Sequence, residues 1–427
     1  MVGSPAMFDA CVVGLGHIGL PTAALLAKSG SRVAGVDIAP PVLDALRRGE
    51  TVFPEPGLSE LVGDVVASGR LAVFDSIHPA SAYLITVPTP IRGDLTCDLD
   101  AVIAAAQSVA EQLGGGELVV LESTVPPGTT AGPFAAVFER RGFVPGQDIH
   151  IAFCPERALP GHTLREIQTN ARLVGGITPG CAAAAGAFYS RFVTGELHPT
   201  TATQAEMAKL FENTYRDVNI ALANQFAALC DAVGIPARET IALANHHPRV
   251  QVHNPGIGVG GHCIPVDPYF LLSPESGASL VTESRNVNNA RPSAVAREIE
   301  AQARRAGARS VALLGLTYKE DTEDVRDSPA IAVAESIAAS PELELVTFDP
   351  YIRHEGLRPV SSLAEAVESA GMVVVLVAHQ EFVDRLPVLL GDAGPVVVDY
   401  TGRIPIESSI CPLGRSVAVL PRTTATL

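Results

Sequence analysis

The segment around Cys263 combines a nucleophilic side chain with a glycine-rich backbone. Four glycines precede the thiol in GIGVGGHC (residues 256–263), and Asp267 follows it by four residues. Glycines let the backbone pass close to a ligand and present its N–H groups to it. A cysteine is also a common small buried residue, so two interpretations are open, a covalent catalyst or a core residue. The first requires nearby cations, because the reactive form of cysteine is the thiolate.

A helical pattern between residues 206 and 216 supplies such cations. Lys209, Asn213 and Arg216 recur at i, i+4 and i+7, so they share one face of the predicted helix. The opposite face is apolar and carries Phe211, Tyr215, Val218 and Leu222. Charge-assisted hydrogen bonds from the polar face would hold an oxyanion or a phosphate. The alternative is a solvated face of an amphipathic helix, which periodicity by itself favours.

The pattern GLGHIG (residues 14–19) follows a short apolar run and begins a helical stretch. In a dinucleotide site, Gly14 would permit the tight turn, Gly16 the approach of a pyrophosphate and Gly19 the packing of helix on strand. The helix N-terminus would offer its N–H groups to the phosphates. Asp37 ends the next predicted strand, where it would accept hydrogen bonds from a ribose. Residues 38–41 contain no Arg or Lys for a 2′-phosphate. The pattern therefore predicts NAD and not NADP, with a merely tight turn as the alternative.

Apolar runs alternate with helical stretches in two separate parts of the chain. They cover residues 10–13, 32–36, 83–87, 118–122 and 151–153, and later 310–315, 345–349, 372–378 and 395–399. Strands that alternate with helices predict a parallel sheet covered on both faces. A stretch without strong breakers, from about Thr203 to Val233, predicts a long connecting helix. The predicted fold is α/β, with two Rossmann-like parallel-sheet lobes joined by a helical central domain. The predicted domains are residues 1–200, 201–305 and 306–427.

The composition excludes several classes of protein. In 427 residues, 46 Asp and Glu outnumber 30 Lys and Arg, which gives a net charge of -16 with His neutral. Such a chain lacks the basic field that attracts nucleic acid, while 47% hydrophobic residues supply more than one core. No apolar run approaches the roughly 18–20 residues of a membrane span, and residues 1–7 do not resemble a signal peptide. Seven scattered cysteines without a CxxC pattern predict reduced thiols in the cytoplasm and no metal site.

Three motifs, in order along the chain, resemble those of a known enzyme family. They are ESTVPPGT (residues 122–129), GGHCIPVD (260–267) and GLTYKEDTEDVRDSP (315–329). They look like motifs of the UDP-glucose/UDP-N-acetylmannosamine 6-dehydrogenases, in the UDP-glucose/GDP-mannose dehydrogenase family, and the match runs from about Phe8 to about Arg403. CPERALPG (154–161) and HPRV (247–250) look most like the N-acetylmannosamine branch. The UDP-glucose branch usually carries Phe-Leu after the Glu, where Arg157 and Ala158 stand here.

The resemblance implies a four-electron oxidation of a sugar C6 hydroxymethyl group to a carboxylate, with two NAD+. Cys263 would capture the intermediate aldehyde as a thiohemiacetal, and the second oxidation would leave a thioester that water hydrolyses. Lys209 would stabilise the oxyanion, with Asn213 beside it. Asp267 would act with Lys209 through water in proton transfer. Glu156 and Thr124 would position the hydrolytic water.

The resemblance also assigns ligand-binding residues and an oligomeric state. For the sugar nucleotide they are Arg157, Ala158, Lys209, Asn213, Arg216, His247, Arg249 and Gly260, with Tyr318, Lys319 and Arg403 for the UDP part. For NAD they are Gly14, Leu15, Gly16, His17, Ile18, Gly19, Asp37, Thr86, Val87, Pro88, Thr89, Ser123, Thr124 and Arg326. In this family the arginine that matches Arg249 comes from the neighbouring subunit, which implies a homodimer or a larger homo-oligomer.

Simpler interpretations stay open for several of these residues. Arg249 would be a surface charge near a turn, and His247 a loop histidine. Lys319 and Arg326 would pair with the acidic residues that surround them in the sequence. The family often has an arginine a few residues after the acid that ends its second strand, and Pro41-Val42 stand here.

Other functions also remain open. A UDP-N-acetylglucosamine or UDP-glucose 6-dehydrogenase would use the same chemistry. A two-electron hydroxyacid dehydrogenase would keep the lysine and never use Cys263. A non-catalytic NAD- or UDP-sugar-binding protein would leave the glycine-rich cysteine segment unexplained.

Overall fold

An eight-stranded sheet forms the centre of the first of two units. The computed structural model describes residues 8–272, 277, 279–390, 394–406 and 409–414. The first unit contains the described residues up to Phe211, together with Tyr269–Leu271. Its strands are β1 (Ala10–Val13), β2 (Val33–Val36), β3 (Leu71–Phe74), β4 (Ala82–Ile85), β5 (Leu118–Leu121), β6 (His150–Phe153), β7 (Arg172–Gly176) and β8 (Leu197–Thr201). They lie in the order β3-β2-β1-β4-β5-β6-β7-β8, and every neighbouring pair is parallel except β6 with β7.

Helices cover both faces of this sheet. They are α1 (Gly19–Lys28), α2 (Pro40–Arg47), α3 (Leu58–Ala67), α4 (Asp100–Ala110), α5 (Ala135–Glu139), α6 (Thr163–Thr169) and α7 (Pro179–Tyr189), with a π-helical segment at Thr130–Phe134. Alternate residues of β1 belong to different apolar clusters, since Ala10 and Val12 pack on one side and Cys11 and Val13 on the other. A strand buried on both faces reads as a continuous apolar run, which is why β1, β2, β4, β5 and β6 were predictable.

Helix α8 (Ala202–Val233) confirms the predicted connecting helix. The predicted polar face contains Asn213, which is buried, whereas Tyr215 and Leu222 of the predicted apolar face are 60% and 42% exposed. Asp217 explains part of this difference between predicted and observed faces, because α8 turns this polar side chain inward. The buried Asp217 carboxylate lies 2.5 Å from Arg285 and 2.8 Å from Asn288. No single helix among the described residues has the length and apolar composition of a membrane span. One pair bent by 119°, α8 with the helix Ala237–Ala244, meets those criteria when taken together.

The second unit contains Glu212–Pro268 and the described residues from Leu272 onward. Its sheet has strands β9 (Ser310–Leu314), β10 (Glu344–Phe348), β11 (Met372–Val375) and β12 (Val396–Asp399). They are parallel and lie in the order β10-β9-β11-β12. Its other helices are α9 (Ala237–Ala244), α10 (Ser279–Ala306), α11 (Pro329–Ala338), α12 (Leu363–Ser369) and α13 (Gln380–Leu390), and a 3₁₀ turn covers Asp267–Leu271. The predicted α/β fold class is confirmed, while the three domain boundaries stay predictions.

Candidate active site

The glycine turn after β1 has the geometry of a dinucleotide site. Gly14 adopts a φ of 92° and its N–H donates to the Val36 carbonyl at 2.8 Å. A side chain at Gly19 would place its Cβ 1.8 Å from the Gly14 carbonyl oxygen, so only glycine lets α1 begin there. On the side where Gly16 lacks a Cβ, no atom lies within 4 Å. The space that a pyrophosphate requires is therefore present beside a helix N-terminus.

Asp37 lies at the end of β2 beside this turn. Its carboxylate accepts the N–H of Leu15 at 2.8 Å and of Ala39 at 2.9 Å, and its side chain is half-buried. Asp37 thus lies at the carboxyl edge of the sheet, where a ribose would bind. His17 stacks on Phe53 with ring centroids 4.2 Å apart, and Ile18 is the residue before α1.

Hydroxyl groups hold the neighbouring loops together. Thr86 donates to the Gly14 carbonyl at 2.7 Å, Ser123 to the Val87 carbonyl at 2.6 Å, and Thr89 to the Thr124 carbonyl at 2.7 Å. The turns after β1, β4 and β5 are thereby joined at one edge of the sheet. Pro88 lies exposed between them. All the residues predicted for NAD except Arg326 thus lie at this edge, in loops or, for Gly19, at the first residue of α1. Their contacts with NAD stay predictions.

Glu156 lies in a buried charge cluster after β6. One carboxylate oxygen accepts the N–H of Arg157 at 2.6 Å and of Ala158 at 2.9 Å, and the other bonds to the Arg172 guanidinium. Arg172, on β7, also lies 3.5 Å from Glu122 and 4.6 Å over the ring of Tyr189. The Tyr189 hydroxyl in turn donates to Glu122. This network orients Glu156 from three sides.

The charges in this cluster balance only if one carboxyl is protonated. Burial raises the pKa of Glu122 to about 7, although Arg172 and Tyr189 act in the opposite direction. Burial would lower the pKa of Arg172, but the carboxylates of Glu156 and Glu122 outweigh it and keep the guanidinium charged. One oxygen of Glu122 also has no hydrogen-bond partner. A protonated Glu122 beside a paired Glu156 and Arg172 is the neutral arrangement that burial favours.

The cysteine segment packs against the segment that follows β9. A Cβ on Gly260 would lie 2.7 Å from the Asp327 carbonyl oxygen and 2.8 Å from the Cβ of Tyr318, so the two backbones approach closely. The Gly261 N–H donates to the Arg326 carbonyl at 2.9 Å. Burial raises the pKa of the Tyr318 hydroxyl, and the negative charge of Asp324 adds to this, while the charge of Arg326 acts in the opposite direction.

Asn213 and Asp267 lie together beside Cys263. The Asn213 side-chain amide donates to the Asp267 carboxylate at 2.6 Å, and both side chains are buried. The Asp267 N–H donates to the Cys263 carbonyl at 2.8 Å, which closes one turn after the cysteine. Burial of Asn213 excludes the solvated-face interpretation for that residue. Lys209 lies one helical turn earlier on α8 and belongs to the first unit.

Two arginines of the second unit, Arg326 predicted for NAD and Arg403 predicted for UDP, pair with acids. Arg326 bonds to Asp324, with Nε 2.9 Å from one carboxylate oxygen, and Arg403 bonds to Glu320. The simpler interpretation of Arg326, pairing with a neighbouring acid, thus describes that residue in this structure. Lys319 is half-buried, and its carbonyl accepts the Thr317 hydroxyl at 2.8 Å.

The remaining predicted substrate residues lie at the surface or bond to backbone. The Arg157 guanidinium donates to the Ala171 carbonyl. His247 and Arg249 are exposed, and the Arg249 N–H donates to His247 Nδ1 at 3.3 Å. Arg216 is exposed, and its charge adds to the lowering of the His253 pKa that burial causes. The substrate-binding roles of all these residues stay predictions.

Comparison with known proteins identifies the family. Three family models match in order: the NAD binding domain at residues 8–193, the central domain at 203–290 and the UDP binding domain at 312–404, all of the UDP-glucose/GDP-mannose dehydrogenase family. The chain belongs to this family. The family assignment makes this dehydrogenase an oxidoreductase that uses NAD, as the glycine turn predicts.

Several relatives of this dehydrogenase are similar over most of their length. A UDP-N-acetyl-D-mannosamine dehydrogenase of Methanococcus aeolicus is 40% identical over 87% of this chain and 85% of its own. An NDP-N-acetyl-D-galactosaminuronic acid dehydrogenase of Ralstonia solanacearum is 43% identical over 92% and 95%. The solved structure of a UDP-D-ManNAc dehydrogenase from Pyrococcus horikoshii has a TM-score of 0.87 at 38% identity and covers 95% of this chain and 98% of its own.

Four residues of the dehydrogenase shape this site, although the sequence analysis assigned them no role. Glu122, Arg172 and Tyr189 form the cluster around Glu156. Glu206, at the start of α8, is fully buried and accepts the N–H groups of Gly128 and Thr130 at 2.6 and 2.7 Å. The position of Arg172 at the start of an otherwise apolar and glycine stretch, RLVGG, was the one available signal. The described residues contain no group of three or more His, Cys, Asp or Glu that could hold a metal ion.

The protonation of Glu122 predicts a pH dependence of stability. Its pKa is raised from 4.5 to about 7 in the folded protein, so the stability it contributes is complete below pH 4.5 and is lost as the pH rises through about 7. Glu122→Gln removes this titration. Between pH 5.5 and pH 8.5, we therefore expect the free energy of unfolding of the variant to rise relative to wild type by on the order of 2 kcal/mol.

Urea unfolding of both proteins at the two pH values measures this difference. Glu139→Gln, an exposed glutamate in α5, is the matched control and should show no such change with pH. A Glu122→Gln difference that is the same at both pH values would contradict the protonated state of Glu122.

Proposed function

We propose that this chain oxidises C6 of UDP-N-acetyl-D-mannosamine to a carboxylate, in an NAD-dependent four-electron reaction. The observation that carries the chemistry is the arrangement at Cys263, where a close glycine approach precedes the thiol and Asp267 closes the next turn. The substrate is supported by relatives that bear the name UDP-N-acetyl-D-mannosamine dehydrogenase at about 40% identity.

Cys263 is the proposed nucleophile. Its sulfur adds to the carbonyl carbon of the C6 aldehyde, and the oxygen takes up a proton to give a thiohemiacetal. Oxidation of that species leaves a thioester. Water then adds to the thioester carbon, and the C–S bond breaks to release the carboxylate and the thiol. NAD+ bound beside the glycine turn supplies the acceptor for a hydride in each oxidation.

Asn213 and Asp267 are suited to hold a proton-transfer site in a fixed orientation. The amide of Asn213 satisfies one oxygen of a buried carboxylate, which keeps that carboxylate in one orientation. Lys209, at i−4 from Asn213 on α8, is proposed to stabilise the developing oxyanion.

Glu156 and Thr124 are proposed to orient the hydrolytic water. The Glu156 carboxylate is 6% exposed, and two backbone N–H groups and Arg172 fix it. A carboxylate held by three donors is a preorganised acceptor that needs no rearrangement when water binds. The backbone of Thr124 is fixed by Thr89.

A second substrate is supported by a specific relative. The Ralstonia solanacearum protein, named an NDP-N-acetyl-D-galactosaminuronic acid dehydrogenase, is 43% identical to this chain over 95% of its length. Its name implies the same uronic acid product class on another amino sugar. The second candidate is therefore oxidation of an N-acetyl-D-galactosamine nucleotide by the same cysteine chemistry.

We also propose that the active form is a homodimer in which Arg249 of one copy completes the substrate site of the other. On α8, Tyr215, Leu222 and Leu229 repeat every seven residues and are 60%, 42% and 64% exposed, so the described part of the chain leaves one apolar stripe uncovered. A second copy of α8 would bury it. A cytoplasmic location is supported by the cysteines, since all seven lie in the described part of the chain and none forms a disulfide.

The proposed chemistry predicts two NADH per sugar nucleotide. We expect a yield near two with limiting UDP-ManNAc, and lower kcat/KM with UDP-GlcNAc, UDP-GalNAc and UDP-glucose. For Cys263→Ser we expect a fall in kcat of at least about 1000-fold, because a hydroxyl is a far weaker nucleophile at neutral pH. NADH absorbance and mass spectrometry of the sugar product measure both.

The outcomes separate the candidates. Two equivalents with UDP-GalNAc as the preferred substrate would favour the second candidate and keep the mechanism. One equivalent, or full activity of Cys263→Ser, would contradict the thioester route and favour a two-electron hydroxyacid dehydrogenase. Cys97→Ser is the matched control, a half-buried cysteine of the first unit, and should leave turnover unchanged.

The shared site predicts complementation between two inactive variants. Arg249→Ala and Cys263→Ser should each be inactive, yet refolding an equimolar mixture should restore about a quarter of wild-type activity, because half of the dimers are mixed and carry one intact site. Light scattering measures the oligomer in parallel, with Leu229→Glu expected to shift it toward the monomer. A mixture as inactive as its components would contradict the shared site.

A further inference from the structure

The two sheets of the protein share one local geometry at corresponding strand ends. In the first sheet, the Leu15 N–H donates to Asp37 at 2.8 Å, and the Gly14 N–H to the last carbonyl of β2 at 2.8 Å. In the second, the Leu316 N–H donates to Asp349 at 2.7 Å, and the Gly315 N–H to the last carbonyl of β10 at 3.0 Å. The order β10-β9-β11-β12 repeats the parallel order β2-β1-β4-β5.

The strand register aligns the two turns residue by residue. Val13 pairs with Val36 and Ile85 in the first sheet, as Leu314 pairs with Phe348 and Val375 in the second. By this register, Thr317 stands where Gly16 leaves open space, and Glu320 stands where Gly19 begins α1. In the second unit the next helix, α11, begins only at Pro329. The second turn therefore lacks both the open space and the adjacent helix N-terminus that let a phosphate approach the first turn.

The same register aligns His379 with Thr89. His379 is fully buried, and its Nε2 lies 3.1 Å from Asp349 and 3.3 Å from the Thr317 hydroxyl. Asp349 is itself buried, whereas Asp37 is half-buried. Burial would raise the pKa of Asp349, but hydrogen bonds from His379, Leu316 and Tyr351 outweigh it and lower that pKa. The carboxylate that would meet a ribose is thus closed off by a histidine.

The other nitrogen of His379 holds the segment that carries Lys319. The Asp321 N–H donates to His379 Nδ1 at 2.9 Å, so Nδ1 must be unprotonated there and Nε2 carries the hydrogen toward Asp349. The Asp321 carboxylate accepts the Gln380 N–H at 3.0 Å. Asp321 has a φ of 51°, a left-handed backbone conformation that is costly for a residue with a side chain. Contacts from residues 379 and 380 stabilise it.

We propose that His379 is a positioning residue for nucleoside diphosphate binding, because its Nδ1 atom holds Asp321 and thereby Lys319 and the Glu320–Arg403 pair in a binding conformation. The inference rests on the proposed function and on the prediction from the sequence that Lys319 and Arg403 contact the UDP part of the substrate. Glu320, between Lys319 and Asp321, bonds to Arg403. One bond at Asp321 thus constrains both cations.

The alternative is that His379 only fills the core. Its ring lies 5.3 Å from Phe382 and 5.2 Å from Tyr351, so it contributes to packing as well. Packing and positioning make different demands on the two ring nitrogens. Asparagine can reproduce the Nδ1 acceptor and loses the contact with Asp349, whereas glutamine can reproduce the Nε2 donor and loses the acceptor for Asp321.

The pair His379→Asn and His379→Gln therefore tests the inference. Calorimetry measures the binding of UDP to the whole protein. His379→Gln should weaken this binding by about tenfold, which corresponds to the loss of one hydrogen bond, and His379→Asn should weaken it by less than about threefold. KM for the UDP-sugar should follow the same order, with KM for NAD unchanged. Hydrogen exchange at the Asp321 amide should be faster in His379→Gln only.

The outcomes separate this inference from the proposed function. If wild-type protein does not bind UDP, the proposed function and this inference both fail. If wild type binds UDP and His379→Gln binds it as well as His379→Asn does, only the positioning role of His379 is overturned. Should His379→Gln not fold, hydrogen exchange at the Asp321 amide of the wild-type protein is the second measurement. UDP should slow this exchange several-fold, because UDP binding and the Nδ1 contact stabilise the same conformation. Exchange that UDP does not change would overturn the inference.

Discussion

A backbone N–H that donates to an aspartate at the end of the neighbouring strand fixes the turns on which the proposed ligand sites depend. Asp37 and Asp349 each accept such a bond from the residue after a glycine. Asp399, at the end of β12, accepts the N–H groups of Thr401 and Ile404 at 2.8 and 2.9 Å and so shapes the loop that carries Arg403. A carboxylate at a buried strand end needs these donors, because an unsatisfied buried charge costs several kcal/mol. The requirement fixes the backbone of the loops beside these strand ends.

The cluster around Arg172 follows the same requirement with a side chain as the main donor. Two carboxyls and one guanidinium are buried together, and protonation of Glu122 leaves a neutral group. Replacing such a cluster with apolar residues often stabilises a protein, so stability does not by itself explain its presence. Orientation of Glu156 does, because a carboxylate held by two backbone groups and a guanidinium cannot rotate. Burial of this charge cluster thus lowers stability and, in return, provides a hydrogen-bond acceptor of fixed orientation at Glu156.

Much of the fold was predictable because the relevant signals are local. Continuous apolar runs gave nine of the strands, and the glycine turn after β1 was recognisable from its spacing. Strands β3, β7 and β8 were not predicted. Helix α10 was also missed, because it is polar and contains Pro292. Periodicity also indicated two faces of α8 without indicating what covers each. Asn213 is buried because Asp267 lies against it, and Tyr215 is exposed because none of the described residues covers it. Arg172 and His379 depend on partners more than ten residues distant, which no local pattern can show.

The two sheets show how one scaffold can serve different ligands. The strand order and the glycine–aspartate bond are common to both, so neither determines which ligand binds. The differences lie at positions aligned by register: Thr317 for Gly16, and His379 for Thr89. A threonine removes the open space that a pyrophosphate needs over the turn, and a buried histidine occupies the carboxylate that would accept a ribose. Because the open space and the accessible carboxylate are both absent there, the second turn does not offer the dinucleotide site of the first. The loop between β9 and α11 is then available to carry Lys319, which explains why the cation proposed for UDP aligns with Ile18, the residue before α1.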